Sequence, residues 1–309
     1  MINGTASGKV ILFGEHAAVY GRPAIAVPVT NVQSTARLRP NAEHGFRIVA
    51  ADLKQNYELA KAPPHDPLAM MVSLTLRHLN QPVPDHMELY LTSTVPLGRG
   101  LGSGAAISTA IGRALAAWYG QIITPTELAA LVYEVEKLHH GTPSGIDNTV
   151  IAFEQPVYFI KGQPVEVLPV AQPFSLVIGD TGIVSPTYRV VGDLRNRWQA
   201  DPLLYEGYFD QIATLTRRAR AIITTKGADL AELGQLMNQN HALLVTLGVS
   251  SPELERLVKV ALQAGALGAK LSGAGWGGNM IALVAASAQN VADALRQAGA
   301  VGVVVTTVK

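Results

Sequence analysis

The chain has 309 residues, 48% hydrophobic and only 15% charged against roughly 25% in ordinary soluble domains, so two sizeable cores and little disorder are expected. Lysine and arginine number 24 against 23 acidic residues, a net charge of +1 with no long basic block, which argues against nucleic acid and anionic membrane and leaves small molecules as partners. The absence of cysteine removes disulfides, a thiol nucleophile and cysteine metal sites, and by itself leaves the redox compartment open.

The first apolar run, residues 10–13, is far shorter than a signal-peptide core, and no stretch approaches the ~18 apolar residues of a membrane span, so a cytoplasmic protein is expected. Residues 9–13 and 24–32 read as strands and 35–59 as further extended pieces. A turn at Pro63-Pro64 and Asp66-Pro67 precedes helical spacing through Met71, Leu74 and Leu79. Residues 87–95 alternate as a strand; a glycine loop and an alanine-rich helix over about 104–119 follow. Thr124-Pro125-Thr126-Glu127 is a capping box with proline at the first helical position, and that helix is expected to end near His140-Gly141. Residues 156–170 and 174–180 alternate again, and the division falls there: residues 1–170 as a nucleotide-phosphate-binding domain and 171–309 as a second domain. Helices over 203–225 and 228–247 and one starting at Ser251-Pro252-Glu253 come next, then a second glycine cluster within 269–286 and a C-terminal strand over 301–308.

The strand–loop–helix junction at residues 96–108, PLGRGLGSGAAIS, is the most informative segment. A helix N-terminus offers unpaired backbone N–H groups and the positive end of the helix dipole, and glycines let phosphate oxygens approach the backbone. The segment is no Walker loop, because GxxxxGK[ST] is absent. Gly100-x-Gly102-x-x-Ala105 satisfies the loose dinucleotide pattern, which would make a nicotinamide-dependent oxidoreductase, but the second strand and acidic residue that pattern requires are missing; a plain packing turn also fits.

Three further segments carry chemistry. In SGKVILFGEH, Lys9 leads a strand and Glu15 and His16 follow its end, although a solvated edge fits equally. In EKLHHGTPSGIDN, a helix bearing Glu136 ends in a loop that delivers Asp147. A carboxylate held close to an ammonium stays ionised, so Asp147 beside Lys9 would accept a hydroxyl proton while Lys9 steadies negative charge, and Glu136 suits magnesium; a solvated helix residue and a turn former are the plainer alternatives. His139 and His140 read as capping or packing residues, since no comparable ligand pair accompanies them. In KLSGAGWGGN, four glycines in six residues, Gly273 to Gly278, imply a close backbone approach to a ligand or loop, or a simple hairpin.

Together and in this order, KVILFGEHAAVYG, PLGRGLGSGAAIS, HGTPSGIDNTV and KLSGAGWGGNMIAL resemble the motifs of the GHMP small-molecule kinases, and the first and third are most similar to the members that phosphorylate mevalonate. The resemblance implies an α/β (α+β) chain of two domains, a ribosomal-protein-S5-like N-terminal one and a ferredoxin-like C-terminal one that closes the active-site cleft. It implies ATP and Mg2+, a small-molecule acceptor and a homodimer. It implies a phosphate loop of Pro96, Gly98, Arg99, Gly100, Leu101, Gly102, Ser103, Gly104, Ala105 and Ala106, with Asp147 as base and Lys9 as its charge partner. Glu136 and Ser103 would hold the metal, Glu15, His16 and Ser144 would lie near the acceptor, and Thr181 near the transferred phosphate. The implied reaction is phosphorylation of the C5 hydroxyl of mevalonate; phosphomevalonate, homoserine or a sugar is the alternative acceptor. Two departures stand out: Gly104 replaces the second serine of GLGSSA, and Trp276 replaces a small residue, either narrowing the acceptor pocket or packing between domains.

Overall fold

The structure, a computed structural model, describes residues 2–140, 143–185, 187–285 and 287–309. Gly141, the second of the two residues near which the third helix was expected to end, Thr142 and Ala286 lie outside the described residues, as do the side chains of His139 and His140 and with them their expected roles. The chain forms two compact units: unit 1 is Met1–Gly8, Val32–Leu97 and Gly102–Glu154, and unit 2 is Lys9–Asn31, Gly98–Leu101 and Gln155–Lys309.

Strand β1 (Ile2–Phe13) starts well before its apolar run. The reason is packing: a Cβ on Gly4 would stand 2.2 Å from the Ala110 carbonyl, so the small residues at the start let a helix lie directly on the strand backbone. Strand β2 (Ala24–Pro40) begins fully buried and then alternates, with Ala36 and Leu38 inward and Arg37 and Arg39 outward.

In unit 1, β3 (Phe46–Ala50) pairs with β4 (Gln55–Glu58) antiparallel, and helix α1 (Pro67–His78) starts where Asp66 accepts the Ala69 N–H at 2.8 Å. Strand β5 (Met87–Ser93) runs parallel to β3 and antiparallel to the later half of β2, with Met87, Leu89 and Leu91 buried. Helices α2 (Ser103–Trp118), α3 (Pro125–His140) and α4 (Ile146–Phe153) pack on one another. The capping box before α3 forms as expected: the Thr124 N–H donates to Glu127 Oε2 at 2.9 Å, and the Glu127 N–H to Thr124 Oγ1 at 3.3 Å. Sequence reading gave no helix at α4, whose eight residues follow a glycine and hold too short a stripe to declare a period.

In unit 2, the early part of β2 pairs with β6 (Val157–Phe159), which pairs with β7 (Glu166–Val167). Strand β8 (Phe174–Asp180) is followed by α5 (Thr187–Ala200), α6 (Pro202–Thr224), α7 (Leu230–Thr246) and α8 (Pro252–Gln263), then β9 (Gly268–Ser272), β10 (Asn279–Val284), α9 (Ala288–Gln297) and β11 (Gly302–Val308). The last sheet is antiparallel in the order β11-β8-β10-β9, so its first strand lies inside and its order is the ferredoxin-like one. Phe209, Ile212, Leu254 and Leu257 pack against Val177, Leu271 and Met280 to form its core. The mixed α/β architecture matches the expectation. Helix α5 went unpredicted because it buries only Val190 and Leu194. Among the described residues no helix is long and apolar enough to cross a membrane.

Candidate active site

The glycine loop links β5 to α2. Gly98, Gly100 and Gly102 hold φ of +65°, +83° and +74°, and Gly102 caps α2 in the left-handed conformation, one that side chains resist. Among the described residues no side chain caps this terminus, and its first turn carries no acidic residue. The N–H groups of the first turn therefore remain available to an anion, at the positive end of a 16-residue helix.

Glu136 on α3 stands beside that turn. Its carboxylate is buried at 6% exposure, and a Cβ added to Gly104 would come within 3.0 Å of Oε1. The departure at Gly104 thus has a steric counterpart: the carboxylate takes up space a larger residue would need. A buried carboxylate next to an anion-binding helix terminus repels phosphate unless a cation lies with them, and carboxylate, hydroxyl and phosphate oxygens are the donors magnesium prefers, so the residues fit that ion. Asp147, in the same unit, sits half-buried in the first turn of α4. It is presented by a helix rather than a loop. Gly145 caps that helix at φ +91°, and Ser144 Oγ accepts the Ile146 N–H at 3.3 Å.

The middle of the loop, Gly98–Leu101, belongs to unit 2 with Lys9, Glu15, His16 and Thr181. Lys9 is 2% exposed, and its N–H donates to the Leu101 carbonyl at 3.0 Å, which ties the loop to β1. The Arg99 guanidinium lies 3.5 Å from Asp180 Oδ1, an oxygen that also accepts the Gly182 N–H at 2.8 Å. The second glycine cluster is indeed the connection of the β9–β10 hairpin, with Ser272 paired to Asn279. It also braces the loop: Asn279 Nδ2 donates to the Arg99 carbonyl, and a Cβ on Gly278 would stand 3.2 Å from the same oxygen. Thr181 Oγ1 donates to the Gly278 carbonyl at 2.8 Å, so its proton is committed to this brace. Trp276 packs on the unit 2 core and donates its Nε1–H to the Gly248 carbonyl at 2.9 Å.

Unit 2 also holds a cluster of buried ionisable groups. Glu15 and Lys270, 1% and 0% exposed, form an ion pair, and Lys270 Nζ also donates to the Leu271 carbonyl at 2.7 Å. Burial pushes the Glu15 carboxyl up and the Lys270 ammonium down; their mutual attraction opposes both shifts, and the Lys9 charge helps to hold Glu15 ionised. Glu15 Oε2 is buried with no hydrogen-bond partner among the described residues. His16 Nε2 lies 2.9 Å from the Ala274 carbonyl, which puts the proton on Nε2 of a neutral ring, and burial pushes its pKa down to about 4. Sequence reading did not single out Lys270 or Asn279. A lysine between Ala269 and Leu271, in a strand about to enter a glycine turn, was the available signal, since a buried ammonium demands a partner.

Comparison with known proteins completes the picture. Residues 68–155 match the profile described as GHMP kinases N terminal domain, and residues 220–301 the one described as GHMP kinases C terminal. The chain is 36% identical to a mevalonate kinase of Pyrococcus horikoshii, covering 96% of this chain and 92% of that protein. It is 34% identical to the mevalonate kinase of Thermococcus sibiricus, covering 97% and 94%. Among solved structures, L. major mevalonate kinase in complex with R-mevalonate superposes with a TM-score of 0.84 at 29% identity, covering 100% of this chain and 96% of that one.

Proposed function

The chain belongs to the GHMP kinase family, and from that premise we propose that it transfers the terminal phosphoryl group of ATP to the C5 hydroxyl of mevalonate, giving 5-phosphomevalonate and ADP. The observation that carries the transfer chemistry is the uncapped N-terminus of α2, set in a glycine loop beside the buried Glu136 carboxylate. The choice of acceptor rests on near-full-length relatives named for mevalonate.

In this reading a bond forms between the acceptor oxygen and the γ-phosphorus while the bond from that phosphorus to the β–γ bridging oxygen breaks, and Asp147 takes the hydroxyl proton. Lys9 balances charge at the reacting oxygens, and the amides following Gly102 hold phosphate oxygens in fixed directions, so that little reorganisation accompanies transfer. Glu15, His16 and Ser144 form the acceptor side, with Lys270 fixing the Glu15 carboxylate. Glu136 and Ser103 would hold magnesium, which when bound offsets the charge of the phosphates.

Asp147→Asn tests the assignment. Turnover is expected to fall by roughly 10²–10⁴, the range for losing a general base, while ATP affinity stays near wild type. Equal loss of turnover and ATP affinity would make Asp147 a structural residue instead.

A further inference from the structure

Unit 1 carries a second polar constellation at the opposite end of β5 from the glycine loop. Strands β3 and β5 are parallel with Phe46 opposite Met87, so the turns leading into them begin side by side. Extended backwards, that register sets Gly45 against His86 and His44 against Asp85. The side chains follow: His44 Nδ1 lies 3.1 Å and His86 Nε2 3.8 Å from the same oxygen, Asp85 Oδ2. One donor atom from each of the three falls within 4.8 Å of the other two.

The carboxylate is already oriented. Its other oxygen, Oδ1, accepts the Gly45 N–H at 2.5 Å and the His86 N–H at 2.8 Å, which leaves Oδ2 facing the imidazoles. Outer-shell hydrogen bonds of this kind fix the ligands of metal sites. A surface carboxylate needs one histidine to make a pair, whereas here two rings, 4.3 Å apart between centroids, converge on one oxygen.

We propose that His44, Asp85 and His86 form a binding site for a divalent cation of the zinc type, with water completing the coordination. Two imidazole nitrogens and one carboxylate oxygen suit zinc, cobalt, nickel or copper, and are a poor set for magnesium or calcium, which take oxygens. Zinc–ligand bonds of about 2.0–2.1 Å put tetrahedral donors roughly 3.3 Å apart, so exposed side chains at 3.1 and 3.8 Å need only small rotations to close on the ion. The ion would clip the β2–β3 turn to the start of β5. The seven residues of β5, at about 3.3 Å each, put over 20 Å between this clip and the phosphate loop, so it acts on stability rather than on turnover.

Cobalt(II) is the probe. Untagged protein free of magnesium and nucleotide is titrated with Co2+, followed by visible ligand-field absorption and equilibrium dialysis. One saturable equivalent, displaced by Zn2+, is expected, bound at least tenfold more weakly by His44→Ala and by Asp85→Asn but normally by a His65→Ala control. Zinc should raise the unfolding temperature of wild type and leave that of His44→Ala unmoved, while His44→Ala keeps wild-type turnover and so reports that it is folded. Cobalt uptake equal in wild type, His44→Ala and Asp85→Asn, or weak uptake that never saturates, overturns the site.

Discussion

The glycine loop and the buried Glu15–Lys270 cluster hold charge by opposite means. Around the loop the protein offers backbone: left-handed glycines, an uncapped helix terminus and amides awaiting an anion. In the cluster it offers ionisable side chains stripped of water, with Glu15 and Lys270 paired across 255 positions of sequence. An amide costs nothing to keep unprotonated and cannot titrate, so the loop is indifferent to pH. A buried ion pair is stable only while both partners remain, because each would otherwise be an uncompensated charge in a poorly polarisable interior. Substitutions and pH should therefore separate the two regions.

The largest effect is expected from Lys270→Met. Removing one partner of a buried pair typically costs about 3–5 kcal/mol, and the stranded Glu15 carboxyl would recover part of that by taking up a proton. Its raised pKa in the folded variant makes the deficit grow as pH rises above the ordinary carboxylate range. Urea unfolding at pH 5 and pH 8 measures this, and Glu15→Gln added to Lys270→Met should restore most of the loss. A deficit independent of pH would mean that the pair is not the source.

Next comes the acid limb of stability. The folded-state pKa of His16 lies near 4 against 6.5 for an ordinary imidazole, so the unfolded chain binds the proton first as pH falls. The contribution is complete above pH 6.5 and is lost progressively down to about pH 4, roughly 3 kcal/mol in all. His16→Gln, which retains a donor for the Ala274 carbonyl, should flatten stability over that window. An identical slope in the variant would assign the acid sensitivity to another group.

The smallest effect belongs to the loop. Gly104→Ala puts a methyl 3.0 Å from Glu136 Oε1 and should displace the carboxylate at about 1 kcal/mol, a roughly fivefold rise in the Mg2+ needed for half-maximal rate. Stability should change little, since alanine favours the helix. A magnesium titration that does not move would take Glu136 away from the metal.

The two regions also differ in how far the sequence disclosed them. The loop was legible because everything it needs is consecutive: an alternating strand, glycines, then an alanine-rich helix. The capping box ahead of α3 was legible for the same reason. Helix α4 was not, because its eight residues are held by packing against α2 and α3 rather than by their own periodicity. The early part of β1 was missed because its small residues become a strand only under α2. Lys270 was hidden because its partner is remote, and Asp85 with His44 and His86 because parallel pairing alone brings them together. The brace between Asn279 and the Arg99 carbonyl shows both kinds at once: a glycine cluster announces a close approach, and only the fold says to what.

Phosphorus NMR of the reaction mixture tests the central claim most directly. Protein incubated with ATP, Mg2+ and mevalonate should produce one phosphate monoester for each ADP, its phosphorus coupled to the C5 methylene protons, and no product when mevalonate is omitted. ADP appearing with inorganic phosphate alone, or mevalonate left unchanged while another alcohol in the mixture is phosphorylated, would contradict the account.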